Sequence, residues 1–526
     1  MAGWWRHAVG YEIYVRSFAD SDGDGLGDLP GVRQRLDHVA ELGVDLLWLT
    51  PFYPSPQADH GYDVADYLDV DPRFGTLADL DALVADAHEL GLRVMIDLVP
   101  NHTSDRHPWF VEARSSRAAV RRDWYVWRDP GPDGGPPNNW VSHFGGPAWT
   151  FDESTGQYYL HLFLPEQPDL NWANPEVRAA FDRILAFWLE RGVDGFRIDV
   201  AHSLVKDPQL RDNPLIGDAP APDASPQEVF AAYEHAHDLD QDGVLDVYRR
   251  WRRITDRYDA VLLGEVYLLE PARLSRYVAG DDVLDTAFCF PALKVDWHAG
   301  RIREVLRQCV EAGGESMTYP LSSHDDPRAA SRFGGGATGA RRALAYLALL
   351  AGLPGNPFLL AGDELGLDDG DTGDAHHDPI AVRNPGASGR DGSRTPMVWE
   401  PGEGVGFTTG KPWLPIGDNR RDEDTVAVQA ADPDSHLHRV RRLLDARRRL
   451  LTGIDGTGVQ WLDAGESVIA LRRGGIVVAC HVGDGAARVA LPRSGELAHA
   501  TAPGAEVTDA TLRLPADATA YVRLTG

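Results

Sequence analysis

The chain has 526 residues, 43% of them hydrophobic and 25% charged, which is an ordinary globular mix. It is too long for one small domain and long enough to bury a sizeable core, so disorder is excluded as the dominant state. Eighty acidic residues against 51 basic ones leave a formal charge of −29, a field that repels phosphate backbones and anionic lipid. Neither nucleic acid nor a membrane is an expected partner.

The first hundred residues alternate strand and helix signals. Residues 9–15 (VGYEIYV), 44–50 (VDLLWLT) and 93–99 (RVMIDLV) read as strands, and 30–41 and 77–90 read as helices. This β-α-β-α-β order implies a parallel sheet with right-handed crossovers. Residues 101–171 then lose all periodicity and are rich in Trp, Pro, Gly and Asn. A stretch that long suggests an inserted subdomain or functional loops. Regular alternation resumes with a helix at 175–191, Pro in its first turn. Five more strand runs follow at 194–200, 261–265, 284–288, 317–321 and 357–361. With the earlier three they make eight, the number that closes a (β/α)8 TIM barrel.

Residues 368–417 read as a long loop over the barrel, and 436–451 as a basic helix whose run RVRRLLDARRR is a solvated face. After residue 453 short apolar or alternating runs at 468–471, 475–480, 487–491 and 520–524 predict an antiparallel β-sandwich. The expected organisation is a barrel over 1–101 and 172–452, an inserted subdomain B over 102–171, and a sandwich over 453–526. Cys289, Cys309 and Cys480 are scattered and odd in number, and no Cys-x-x-Cys occurs, so no disulfide framework, zinc ribbon or redox motif is expected. The N-terminus has no long apolar run, and no stretch reaches membrane-spanning length. These features together point to a cytoplasmic protein.

In such barrels the reacting groups sit at the carboxyl ends of the strands. Here the third strand ends at Asp97 with Asn101 and His102 beyond it, the fourth at Arg197 and Asp199, the fifth at Glu265, and the seventh at His324 and Asp325. Any one of these would more often be a helix cap or a hydrogen-bonded core residue. Four such ends on one rim suit glycoside cleavage, which needs one carboxylic acid for the leaving oxygen and a carboxylate to attack the anomeric carbon or activate water. A neighbouring Arg favours the ionised carboxylate, and a third carboxylate raises the pKa of the acid.

The motifs DLVPNH (97–102), GFRIDVAH (195–202), GEVY (264–267) and SSHDDPR (322–328) carry a resemblance to a known family. So do DHGYDVADY (59–67), QPDLNW (167–172) and RNPGASGRDGSRTPMVW (383–399). The chain resembles the α-amylase superfamily, glycoside hydrolase family 13, and within it the α-glucosidases and oligo-1,6-glucosidases. The resemblance implies Asp199 as nucleophile, Glu265 as general acid/base and Asp325 as the carboxylate that steadies the transition state. It implies that Arg197 stands beside the nucleophile, that His102 and His324 bond the sugar in the −1 subsite, and that Tyr62 stacks on it. It implies that Asp59 and Arg328 pair to seal the pocket behind the terminal glucose, which makes cleavage exo-acting. Ser323 departs from the family's usual Asn before the His-Asp pair.

Asp20, Asp22, Asp24 and Asp28 alternate around glycines, a spacing like the start of an EF-hand loop that suits a hard cation. The resemblance implies a structural Ca2+ or Mg2+, held by these four carboxylates and the Leu26 carbonyl. The similar run at 238–243 leads into a helix and reads as acidic residues at its N-terminus. Val200, next to the nucleophile, goes with α-1,6 preference in isomaltase-like relatives, whereas segments 238–244 and 406–415 resemble the α-1,4 group. The expected activity is a retaining α-glucosidase acting on maltose or short maltooligosaccharides, with transglucosylation open because water and sugar hydroxyls compete for one covalent intermediate. The alternatives are an oligo-1,6-glucosidase, a disaccharide isomerase or glucosyltransferase of the same family, and an inactive scaffold homologue. The sequence is silent on oligomeric state.

Overall fold

The computed structural model describes all residues except 1–2, 222–223, 385, 388, 455–457 and 526. Positions 385 and 388 of the 383–399 motif, and 455–457 and 526 of the expected sandwich, therefore lie outside the described residues.

Three strands open the chain: β1 (Gly10–Ile13), β2 (Leu46–Leu49) and β3 (Arg93–Leu98). An inserted antiparallel sheet follows, made of β4 (Trp127–Arg128), β5 (Trp149–Asp152) and β6 (Gln157–Leu160) in the order β4-β6-β5. Five more strands come next: β7 (Gly195–Ile198), β8 (Val261–Gly264), β9 (Thr286–Phe288), β10 (Met317–Pro320) and β11 (Asn356–Leu360). Together, β1-β2-β3-β7-β8-β9-β10-β11 close into a parallel barrel, β11 returning to β1. Each strand falls within a residue or two of its expected position. The runs are apolar because a barrel strand is covered on both faces. Gly195 allows β7 and β8 to approach, since a Cβ there would lie 2.5 Å from the Val261 carbonyl oxygen.

The helix expected over 30–41 is two helices, Leu29–Gln34 and Leu36–Leu42, broken where Arg35 takes φ −109° and ψ 9°. The helix Leu77–Glu89 starts from a Thr76/Asp79 capping box, and Pro175–Glu190 from the Asn174 side chain. Beyond the helix His436–Leu451 lie β12 (Val459–Leu462), β13 (Val468–Arg473), β14 (Ile476–His481), β15 (Ala486–Ala490), β16 (Gly495–Ala500), β17 (Glu506–Thr508), β18 (Thr511–Pro515) and β19 (Ala518–Leu524). They form a five-stranded sheet, β12-β13-β14-β19-β16, and a three-stranded one, β15-β18-β17, with an apolar core of their own around Val477, Val489, Leu512 and Val522. Among the described residues no helix is long and apolar enough to cross a membrane.

The cysteines correct the expectation. Cys289 and Cys309 form a disulfide pair with Cα atoms 6.9 Å apart, and Cys480 is buried and free. The pairing follows from the barrel connection: Cys289 comes directly after β9 as the N-cap of the short helix Phe290–Leu293, and the helix Ala299–Gly313 that carries Cys309 packs on that short helix. The run at 238–243 is spoken for within the protein. Asp240 binds Arg273 at 2.7 Å, Asp238 binds His235 at 2.8 Å, and Arg276 reaches Asp242.

Candidate active site

The rim of the barrel assembles the site from strand ends. Asp97 on β3 and Arg197 on β7 are register partners across neighbouring parallel strands. Arg197 Nη1 meets both Asp97 oxygens, at 3.0 and 3.2 Å, and Asp199 Oδ1 at 2.7 Å. Its Nη2 meets Glu265 Oε2 at 2.9 Å. One guanidinium, 2% exposed, thus holds three carboxylates, and the Trp48 ring lies 4.8 Å beneath it. Trp48 Nε1 and the Tyr62 hydroxyl each donate to Asp97 Oδ2 at 3.1 Å.

Burial pushes Asp97 up to about 6 and pushes Asp199 well above the usual carboxylate range, with Arg197 the largest opposing influence on both. Glu265 is also raised by burial, Arg197 opposing and the Asp325 carboxylate adding to the rise. Asp325 behaves oppositely. Burial would raise it, but His324, Arg390 and Arg394 outweigh that and hold it far below the usual range. Glu265 is thus biased toward keeping a proton, as a general acid requires, and Asp325 strongly against it, while the shared Arg197 charge is what works to keep Asp199 ionised.

Val200 follows Asp199 with φ +37°, in the left-handed region where a β-branched residue is strained. Its N–H donates to Glu265 Oε2 at 2.8 Å, so the strained backbone serves to fix the Glu265 carboxyl. His324 Nδ1 meets Glu12 Oε1 at 2.5 Å, and its Nε2 faces the Tyr62 hydroxyl at 2.9 Å and Asp325 Oδ2 at 3.4 Å. Tyr62 lies parallel to the His324 ring, 10° between planes. His102 is buried and its pKa is lowered by that burial; its Nε2 lies 3.0 Å from the Tyr62 carbonyl and 3.1 Å from Gln167 Nε2. Ser323 Oγ accepts the Asp325 N–H at 3.2 Å, a local turn that a longer amide is not needed to make.

The expected pair of Asp59 with Arg328 does not form. Arg328 lies behind the site, with its Nη2 on the Ser393 carbonyl at 3.0 Å and its Nη1 3.8 Å from Asp363. Arg390 takes the place beside Asp59, at 2.9 Å, and reaches Asp325 at 3.0 Å. Arg394 binds the same Asp325 oxygen at 2.7 Å. The Arg328 side chain is occupied by the Ser393 carbonyl and Asp363, whereas Arg390, beyond the helix Pro379–Arg383, reaches Asp59. Sequence reasoning missed Arg390, Arg394, Glu12 and Gln167 as individual residues. Arg390 and Arg394 stood inside the quoted 383–399 motif, and Gln167 inside QPDLNW, so the signal was present without a role attached.

In the acidic loop, carboxylate oxygens of Asp20, Asp22 and Asp28 lie within 4.8 Å of one another. The set is all hard oxygen and fits a divalent cation. Asp24 stands outside this group, its Oδ1 accepting the Leu26 N–H at 2.8 Å. Thr408 Oγ1 donates to Asp20 Oδ2, so the 406–415 segment closes over the loop.

Residues 12–453 match the family described as alpha amylase, catalytic domain. A probable alpha-glucosidase of Rhizobium meliloti (strain 1021) is 46% identical over 460 residues, 85% of this chain and 82% of that protein. An oligo-1,6-glucosidase of Heyndrickxia coagulans is 37% identical over 497 residues, 87% of each. The crystal structure of an alpha-glucosyl transfer enzyme superposes with a TM-score of 0.92 at 40% identity, covering 100% of both chains.

Proposed function

The chain belongs to the alpha-amylase family and is a glycoside hydrolase, and on that premise we propose that it is a retaining α-glucosidase. It takes single glucose units from the non-reducing end of maltose or short α-1,4 maltooligosaccharides. The observation that carries this is the set of contacts around Arg197. Asp199 Oδ1 and Glu265 Oε2 are both engaged by that guanidinium, and Glu265 Oε2 also by the Val200 amide. The opposite oxygens, Asp199 Oδ2 and Glu265 Oε1, are the ones left for chemistry.

Glu265 carries the proton on Oε1 and gives it to the glycosidic oxygen as the bond to the leaving sugar breaks. Asp199 Oδ2 bonds the anomeric carbon from the other face. Glu265, now ionised, takes a proton from water, whose oxygen displaces Asp199 and restores the original configuration. Sharing of one guanidinium keeps the two carboxyls close, which favours the retaining spacing over the wider inverting one. Asp325, ionised under Arg390 and Arg394, offsets positive charge on the sugar ring in the transition state. The Asp59–Arg390 pair closes the pocket behind that ring, which supports exo action.

Two cues bear on linkage. Val200 leans toward α-1,6; the higher identity to an alpha-glucosidase than to an oligo-1,6-glucosidase, 46% against 37%, supports α-1,4. Glucosyl transfer is the second reading, favoured by full-length similarity to a glucosyl transfer enzyme. We further propose that Asp20, Asp22 and Asp28 hold a structural Ca2+ or Mg2+.

Product analysis with maltose, isomaltose, sucrose and trehalose tests the activity. Glucose should appear faster from maltose than from isomaltose. Isomaltose winning reassigns the linkage, early longer oligosaccharides add transfer, and no turnover of any of the four sinks the proposal. Asp199→Asn and Glu265→Gln should each lose about a thousandfold or more in kcat/KM; near-normal turnover by either overturns its role.

A further inference from the structure

Asp378 lies on the loop that crosses the barrel rim, fully buried, and none of the proposed chemistry uses it. Both of its oxygens face Arg390. Oδ2 accepts from Arg390 Nε at 2.8 Å and from the Arg390 backbone N–H at 2.5 Å, and Oδ1 accepts from Nη2 at 2.9 Å. Oδ1 also caps the helix Pro379–Arg383 by accepting the Ile380 N–H at 3.0 Å. Asp378 is itself fixed from behind, because Asp391 Oδ2 accepts the backbone N–H groups of His377 and Asp378 at 2.8 and 3.2 Å.

A guanidinium is a planar fork, and a carboxylate bound along its Nε–Nη2 edge fixes the whole plane. With that edge on Asp378, Nη2 points its remaining hydrogen at Asp59 and Nη1 points at Asp325. Arg394 shares Asp325 Oδ1 and repels Arg390, so without an opposing carboxylate the fork has reason to move. We propose that Asp378 is a positioning residue that sets the Arg390 fork across Asp59 and Asp325, linking closure behind the terminal glucose to the carboxylate that steadies the transition state. This rests on the α-glucosidase function above.

Asp378→Asn keeps the shape and the helix cap but loses the charged two-point contact. KM for maltose and the inhibition constant of product glucose should both rise about tenfold or more, as expected when charged hydrogen bonds are lost from a buried pair. The thermal midpoint should stay within about 3 °C. In an Arg390→Lys background, Asp378→Asn should add almost nothing, because its effect passes through the fork that lysine lacks. Unchanged KM and glucose inhibition in Asp378→Asn, or losses that simply multiply in the double variant, overturn the proposal. If Asp378→Asn does not fold, Asp378→Glu decides: an extra methylene shifts the fork and must raise KM, and an unchanged KM overturns the role. A wild-type enzyme that releases no glucose from any α-glucoside defeats the functional assignment. An active wild type with indifferent Asp378 variants defeats this inference alone.

Discussion

Arg197 is the residue on which the site's protonation turns, because one positive charge serves Asp97, Asp199 and Glu265. Such a set titrates as a unit, so the limbs of its pH profile belong to the cluster. The sign of one change is still fixed. The Asp97 charge raises the Asp199 pKa, and Arg197 lowers it. Asp97→Asn removes the first influence and leaves Arg197 to two carboxylates. Asp199 then stays ionised to lower pH, and the acid limb of kcat/KM should move to lower pH. A limb that stays or moves up would show that Asp97 does not govern the nucleophile. Asp97 was visible in the sequence as the end of the third strand and the start of DLVPNH; its partnership with Arg197 comes from strand register, which no local motif encodes.

At the scale of elements, what was legible and what was not divide by burial. All eight barrel strands were placed because each is an apolar run between turn signals. In the C-terminal region β13, β14, β15 and β19 were found, whereas β12, β16, β17 and β18 were not. β12, β16, β17 and β18 have polar residues among their apolar ones and so no continuous apolar run, whereas β15, exposed along most of its length, was found from the run that leads into Leu491. The strand-end residues Asp199, Glu265 and Asp325 were legible for a related reason, that a barrel has only one catalytic rim. The partner of Asp59 was not, since Arg390 arrives 331 residues later on an irregular loop. In the acidic loop Asp20, Asp22 and Asp28 come together, whereas Asp24 lies outside that group. If a cation sits on Asp20, Asp22 and Asp28, dialysis against a chelator should lower the thermal midpoint by about 2–4 °C, as for any ligand that binds only the folded state. Ca2+ or Mg2+ should restore it, with kcat at moderate temperature unchanged. In Asp20→Asn the midpoint should no longer respond to metal; a response equal to wild type would remove the site.

The whole molecule is held together at a joint far from the sugar pocket. The barrel helix Gly336–Gly352 lies against β14 and β19, so close that a Cβ on Gly352 would meet Val478 at 2.9 Å. Tyr521 and Thr519 on β19 donate to the carbonyls of Ala348 and Ala345, each at 2.7 Å. Asp517, 2% exposed, ties the same seam: it accepts from Trp297 Nε1 at 2.8 Å, Arg342 at 2.9 Å and Arg341 at 3.2 Å. Sandwich and barrel are therefore expected to unfold together. Burial opposes the Asp517 charge, but Trp297 and the two arginines outweigh it and lower its pKa in the folded protein. A carboxylate depressed in this way stabilises the fold above its unfolded pKa, and the contribution fades as pH falls through the folded value. Asp517→Ala should cost about 1–3 kcal/mol at neutral pH, since it strands buried donors that are partly reached by solvent. The difference in thermal midpoint from wild type should shrink as the pH is lowered below the usual carboxylate range, and kcat should not change. Scanning calorimetry across pH would show this. A midpoint difference that ignores pH would mean that the charge of Asp517 does not hold the joint, and a sandwich that melts in a separate earlier transition in wild type would mean that the joint does not couple the two parts.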